Sequence, residues 1–366
     1  MGDHIPVEKQ LQLLQTQVKA GAATQKVPRA GYQRLSLDRL RAWEAMRNGM
    51  FIHFGMSTYL GTDRPQKQEP AATYAPDRLD VDQWVCVARD AGMKYAVLAA
   101  KHAAGHCLWP SKLTHYSVAY SGNRTDVVEA FVHACEKRGV KPGLYYCSWD
   151  NAHRFGSRTP DTPRIGPFIK EMDYTAIHDG ELVHPDKPGA LCAYTTSLYQ
   201  DFVTGQMSEL LTQYGEIGEI WIDIPGVLGR GYRTFLYQHI TRLQPGTVVV
   251  TNTGLSNGDP YRVSYAWPAD VAGLEARLPP EGGHRPWRTI EGQECYLPAE
   301  VCHSICKDWF FMPDQPPLPD AELKALVSQC RERGANLLLN VPPDPHGQIR
   351  SENIQALGRL AGLLRT

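Results

Sequence analysis

No apolar run in this 366-residue sequence approaches the ~20 residues that cross a bilayer as a helix, so no membrane-spanning helix is expected. Charge of one sign is not in excess either: 38 Lys and Arg against 39 Asp and Glu leave a formal net charge of −1. A surface so balanced has no electrostatic grip on nucleic acid or on an anionic membrane, and neither is an expected partner. Met1 to Ala20 lack the apolar core of a secretory signal. The expected location is therefore cytoplasmic; a leader removed beforehand would make it periplasmic or secreted. No second, similarly spaced pair accompanies Cys302-His303 and Cys306, so those residues read as structural and no metal site is expected. No Gly-rich phosphate turn follows the first strand, which weakens a nucleotide-binding sheet, and no cofactor is expected. No internal repeat or low-complexity linker divides the chain.

What is present suits a sizeable core: 42% of residues are apolar and 21% charged. The nine cysteines are an odd number, and Cys86, Cys135, Cys147 and Cys330 sit inside apolar runs. They read as free thiols in a reducing compartment. Leu11, Leu13, Leu14 and Val18 mark an N-terminal helix, and residues 1–35 are read as that helix and a lead-in packed on the body.

From there strands and helices alternate. Ser36 caps a helix over Leu37–Met46, and the run from Gly49 to Gly55 reads as a buried strand. Further helices are predicted over Val81–Ala91, Thr125–Arg138, Ala193–Tyr214, Tyr232–Leu243, Ala321–Arg333 and Ile354–Leu364. The strands predicted between them are Lys94–Ala100, Pro142–Cys147, Ile217–Ile222, Thr247–Thr251, Val263–Trp267 and Asn336–Val341. Residues 60–80, 151–189 and 272–300 read as loops. This alternation is the pattern of a (β/α)8-like TIM barrel, expected as one catalytic domain over residues 36–366.

Active sites of such barrels sit at the carboxyl ends of the strands. Those ends carry His53, then His102 and His106, then Tyr146, Trp149 and Asp150, then Asp223, then Asn252, then Trp267 and Asp270. Each has an ordinary explanation alone. His53 among Phe51, Ile52 and Phe54 suits a core histidine, Trp149 and Trp267 suit core aromatics, and Asp150 and Asp223 suit caps. Their convergence on one rim is harder to explain that way. Asp223 ends the run Ile220-Trp221-Ile222 before Pro225-Gly226, and a carboxylate among apolar neighbours is costly unless it is paired or used. Paired carboxylates with aromatics and histidines suit glycoside hydrolysis. His102 and His106 stand four apart as in helical zinc motifs, yet no Glu adjoins His102 and the segment follows a strand, which disfavours metal-assisted hydrolysis.

Several motifs then point one way together. They are Met50-Phe51-Ile52-His53-Phe54-Gly55; Asp90 to Leu98 followed by Lys101-His102 and Gly105; Cys107-Leu108-Trp109-Pro110-Ser111; Gly143-Leu144-Tyr145-Tyr146; Trp221-Ile222-Asp223; and Asn336 to Asp344 with Gly347. In this order they resemble glycoside hydrolase family 29, the retaining α-L-fucosidases, over roughly residues 36–350. The resemblance implies that Asp223 is the nucleophile, that His53 and His102 bind fucose hydroxyls, and that Tyr146 and Trp221 line the sugar pocket. It also implies that Glu69 contacts sugar. Asp270 is the implied acid/base, with Glu275 and Glu300 in reserve. The sequence departs from the family where His102-Ala103-Ala104-Gly105-His106 replaces a His-His-Asp-Gly-Phe run, and where Pro70 follows Glu69.

The expected function is retaining exo-hydrolysis of terminal α-L-fucose, or a closely related L-sugar such as α-L-galactose, from a small glycoside or oligosaccharide. A catalytically decayed sugar-binding barrel is the alternative. Completion of the rim by a second subunit is left open. A retaining reaction requires the two carboxyl groups to stand ~5–5.5 Å apart.

Overall fold

The structure is a computed structural model that describes residues 30–63, 65, 68–153, 177–178, 181–182, 197–252 and 266–365. The helix expected within Met1–Ala20, most of the loop 151–189, and residues 263–265 of the expected sixth strand lie outside these residues.

Eight parallel strands close into a barrel. They are β1 (Asn48–Ile52), β2 (Tyr95–Lys101), β3 (Lys141–Cys147), β4 (Glu219–Asp223), β5 (Val248–Asn252), β6 (Val271–Glu275), β7 (Ala299–Ser304) and β8 (Ala335–Asn340). Each pairs with the next in chain order, and β8 closes on β1. β1, β2, β5 and β8 are buried along their whole length, as parallel strands covered on both faces must be.

Around them lie α1 (Leu37–Glu44), α2 (Val81–Ala91), α3 (Val127–Arg138), α4 (Ser197–Gln213), α5 (Arg230–Leu243), α6 (Asp320–Glu332) and α7 (Ser351–Leu364). Their ends follow local chemistry. Ser36, Asp80 and Asp126 accept hydrogen bonds from the backbone N–H three residues on, and so cap α1, α2 and α3. Gly92, at φ 96°, closes α2 in a conformation that a side chain would strain. The inward faces bury Trp84, Val85 and Ala88 of α2 and Phe131 and Cys135 of α3 against the sheet. A fully buried side chain of this size contributes roughly 1.5–3 kcal/mol.

α1 closes the N-terminal mouth of the barrel. Its Trp43 packs on Tyr95 of β2, with ring centroids 6.2 Å apart, and donates to Glu219 of β4 at 2.9 Å. Among the described residues no helix is long and apolar enough to cross a membrane. The eight described cysteines are free thiols.

Two strands differ from the sequence reading. The sixth barrel strand is Val271–Glu275 rather than Val263–Trp267, and β7, which begins at the end of the stretch 272–300 read as a loop, was not expected as a strand. Both lack an apolar run. Gly273 leaves room for β5, since a Cβ there would come within 3.1 Å of Val250 and 3.3 Å of the Thr251 carbonyl oxygen. β7 buries Glu300 and Cys302. Between β6 and β7 the chain forms an antiparallel hairpin, Trp287–Ile290 with Gln293–Tyr296.

Candidate active site

Side chains alternate along a strand, so a single face of each barrel strand can reach the interior. β1 places Phe51 inside, and His53 follows two residues later at its carboxyl end. β4 does the same with Trp221 and Asp223. Tyr145 of β3 sits in register with Trp221 and stacks on it, with centroids 5.6 Å apart at 23°. Phe51 packs 5.6 Å from Tyr145 and 5.4 Å from Trp221. These three rings floor a cavity of about 360 Å³, small for a small-molecule site. Its walls are His53, Asp63, His102, Asp223, Asn252, Glu275, Cys302 and Trp309.

Asp223 receives three donors. Tyr145 Oη donates to Oδ2 at 2.7 Å; the Ile224 backbone N–H and Asn252 Nδ2 each donate to Oδ1 at 2.8 Å. Ile224 holds φ at 50°, which is costly for a β-branched residue, and the same turn aims its N–H at the carboxylate. Asn252 Nδ2 also donates to Glu275 Oε2 at 2.8 Å. One amide nitrogen therefore holds an oxygen of each carboxyl group, and those two oxygens stand no farther apart than twice that distance.

The histidine beside them has a defined form. Asn340 Nδ2 donates to Ser304 Oγ at 3.0 Å and to the Trp309 carbonyl oxygen at 2.8 Å, so its Oδ1 faces His53 Nδ1, 2.8 Å away. His53 must then carry its proton on Nδ1. Burial, and next the neighbouring His102, push its pKa down to about 3. At neutral pH it is an uncharged ring with Nε2 as an acceptor. Burial first, then Asp223, raise Tyr145 well above the usual phenol range, which keeps its proton available to donate. Burial and three nearby carboxyl groups (Glu275, Glu300 and Asp223) raise the Cys302 thiol, leaving it protonated and unreactive.

The family model for alpha-L-fucosidases matches residues 15–366. The chain belongs to the alpha-L-fucosidase family. It is 29% identical to alpha-L-fucosidase 1 of Arabidopsis thaliana over 339 residues, covering 86% of this chain and 57% of that protein. The chain thus spans a little over half the length of that relative. It is similar in structure to alpha-L-fucosidase isoenzyme 1 of Paenibacillus thiaminolyticus, with a TM-score of 0.67 at 27% identity over 89% of this chain and 75% of that one. Alpha-L-fucosidase AlfC of Lactobacillus casei, solved with alpha-L-fucose, shares the fold at a TM-score of 0.65 and 21% identity, over 89% of this chain and 98% of that one. The motif resemblance and the barrel expected from the alternating strands are both borne out.

In this alpha-L-fucosidase family chain the cavity gathers His53, His102, Trp221, Asp223, Asn252 and Glu275 from the residues singled out in the sequence. The others lie elsewhere. Tyr146 points out of the barrel, donating to Gln206 of α4 at 2.8 Å beneath the Lys101 ammonium; its neighbour Tyr145 holds the inward position. Asp270 precedes β6, at the opposite end of the strand from Glu275, five residues and roughly 16 Å away. There it accepts from Arg34, from Tyr237 at 2.6 Å and from the Val249 N–H at 2.9 Å, pinning the lead-in and α5 to the barrel. Glu300 lies below the cavity floor, accepting from Tyr95 at 2.6 Å and from Trp221 at 2.9 Å.

His106 is buried against Tyr74 and Tyr116 and bonds Ser121 at 2.8 Å. Trp149 donates to Asn151 at 2.9 Å, and the Trp267 carbonyl accepts from Arg233 at 3.3 Å; neither ring lines the cavity. Glu69 sits half-buried in the loop after β1, outside the lining. Asp150 is fully buried; burial opposes its charge, and His153 and Lys101 overcome this to hold it well below the usual carboxylate range. Sequence reasoning missed Phe51, Asp63, Tyr145, Cys302 and Trp309. Phe51 was legible from alternation, being two residues before His53; Asp63 and Trp309 come from loops, where no periodicity marks a face.

Proposed function

We propose that this chain is a retaining exo-glycosidase that releases terminal α-L-fucose, or a close stereochemical relative, from a glycan or small glycoside. The observation carrying the reading is the single Asn252 amide that bonds both Asp223 and Glu275 at 2.8 Å. That spacing suits a covalent intermediate; an inverting pair needs roughly 6.5–9.5 Å to admit a water. Family membership supplies the sugar class.

In this reading Asp223 attacks the anomeric carbon while Glu275 gives its proton to the departing glycosidic oxygen. The glycosyl ester on Asp223 then meets a water whose proton passes to Glu275, and the ester bond breaks to free the carboxylate. Glu275 thus replaces Asp270 as the proposed acid/base. Neutral His53 accepts a hydrogen bond from a sugar hydroxyl through Nε2, with His102 beside it. The rings of Phe51, Tyr145 and Trp309 offer apolar faces to sugar C–H groups. The closed floor admits one sugar unit, hence action at chain ends.

Proton NMR of an aryl α-L-fucoside digest tests this directly. The first sugar released should be the α-anomer, with β-fucose rising only by mutarotation. β-Fucose appearing first would mean inversion and would sink the proposal. A second expectation concerns the two adjacent tyrosines. Tyr145→Phe removes one of the three donors to Asp223, and hydrogen bonds to charged groups are worth ~1.5–3 kcal/mol, so kcat/KM should fall roughly ten- to a hundredfold. Tyr146→Phe should leave kcat/KM near wild type, because its hydroxyl meets Gln206 outside the barrel.

A further inference from the structure

Glu300, held in reserve as an acid/base in the sequence, is a buried carboxyl that the proposed reaction does not use. It comes from β7 and is 0% exposed. Its Oε1 accepts from Trp221 Nε1 at 2.9 Å, and its Oε2 meets Tyr95 Oη at 2.6 Å. Tyr145 stacks on the Trp221 ring, and Tyr145 Oη donates to Asp223 at 2.7 Å. One line of contacts thus runs from Glu300 through two rings of the cavity floor to the proposed nucleophile.

The two contacts differ in kind. An indole N–H can only donate, so Oε1 accepts from Trp221 whatever the charge on Glu300. A phenol can give or take, so the bond to Tyr95 serves the carboxylate and, reversed, the protonated carboxyl. Glu300 can therefore lose or gain its proton with no heavy atom moving, and what changes is the charge beneath the floor. The titratable groups facing it are Tyr95 from β2, Glu219 from β4 and Cys302 from β7 itself. Its register partners on β6 and β8, Gly273 and Asn336, carry no charge.

We propose that Glu300 is a positioning residue for the hydrolysis, its carboxylate acting through Trp221 on the sugar above. The inference rests on the glycosidase reading. Positive charge develops on the sugar ring only as the glycosidic bond breaks. A negative charge under the indole that floors the ring favours that state over the resting one. It also holds the Trp221 N–H more firmly than a neutral acceptor would, since charge-assisted hydrogen bonds are about twice as strong. A unit charge on the order of 10 Å from a partly formed cation, at an effective dielectric of about 20, alters a rate by roughly three- to tenfold.

The effect has a direction in pH. Burial pushes Glu300 up to about 7, against the pull of its two donors, and pushes Glu219 well above the usual carboxylate range. Glu300 is therefore the member of the pair that ionises as pH rises through neutrality. Its contribution is missing in acid and present above that range.

Glu300→Gln keeps an acceptor for Trp221 and removes the charge. The ratio of wild-type to Glu300→Gln kcat on an aryl α-L-fucoside should stand near one at about pH 5.5 and climb to roughly three- to tenfold by about pH 8, with KM moving less than about twofold. Taking the ratio cancels the limbs that Asp223 and Glu275 give to both proteins. Tyr95→Phe keeps the carboxyl and removes one donor, so ionisation moves to higher pH and the ratio of wild type to this variant should also rise above neutrality. Should Glu300→Gln fail to fold, Tyr95→Phe decides alone. Infrared spectroscopy reads the ionisation without substrate: the carbonyl band of a protonated carboxyl should fade from wild type as pH passes through about 7 and be missing from Glu300→Gln. A ratio flat with pH, or a loss carried by KM and melting temperature together, makes Glu300 a structural prop and overturns the proposal. Wild-type protein without turnover at any pH sinks the glycosidase reading; turnover with a flat ratio sinks this inference alone.

Discussion

Asp223→Ala should lower aryl α-L-fucoside turnover by roughly 10⁴-fold or more, the scale of loss when a covalent nucleophile is deleted. The expectation rests on how completely the protein commits that carboxylate. Tyr145 Oη, the Ile224 N–H and Asn252 Nδ2 all point at it, at 2.7–2.8 Å. Such donors fix both oxygens in place, so little reorganisation remains when one of them attacks. Deleting the side chain also opens space for a small anion. Azide should therefore restore activity by attacking the anomeric carbon from the vacated side, in one displacement, giving a β-L-fucosyl azide. Mass spectrometry and NMR of the product check this. Wild-type rates in the variant, or an azide adduct of α configuration, would place the nucleophile elsewhere. A decayed sugar-binding barrel makes a different forecast: the unmodified protein would bind fucose and leave every aryl fucoside intact.

The first five barrel strands were legible because each carries an apolar run that a doubly buried parallel strand demands. The carboxylate at the end of the fourth stood out against that background. β6 and β7 were not legible for the same physical reason in reverse. Gly273 is small because β5 approaches closely, and Glu300 has its buried carboxyl oxygens met by Tyr95 and Trp221, partners on other strands. Nothing local to the sequence announces either. Missing β6 moved the acid/base reading from Glu275 at the strand's carboxyl end to Asp270 at its start. The choice between Tyr145 and Tyr146 turned on register: adjacent residues face opposite sides, and only pairing with Trp221 of β4 shows which faces in. The capping signal at Ser36 was local, and the structure uses it where the sequence placed it. His106 shows the limit of spacing arguments, since its distance from His102 along the chain says nothing of Ser121, which it bonds.

Glu275→Ala should cost about 10²- to 10⁴-fold in kcat on a fucosyl disaccharide, the usual worth of general acid–base catalysis. The loss should shrink for a dinitrophenyl fucoside, whose leaving group departs without a proton. With that substrate the glycosyl ester on Asp223 still forms and then persists, because no base activates water. Azide needs no base, and here it attacks the anomeric carbon of that ester and expels the Asp223 carboxylate, so the rescued product should be an α-L-fucosyl azide, the opposite anomer to that from Asp223→Ala. The pair of anomers distinguishes the two roles in a way that lost activity alone does not. Asp270→Asn supplies the contrast. Its carboxyl group anchors Arg34, Tyr237 and the Val249 N–H at the far end of β6, so it should lower the melting temperature while leaving the leaving-group dependence of kcat intact. Rescue of Asp270→Asn by azide with retained configuration, and its failure in Glu275→Ala, would reverse the assignment. That reversal would require a carboxylate roughly 16 Å down the strand to reach the sugar, which the closed floor of Phe51, Tyr145 and Trp221 forbids.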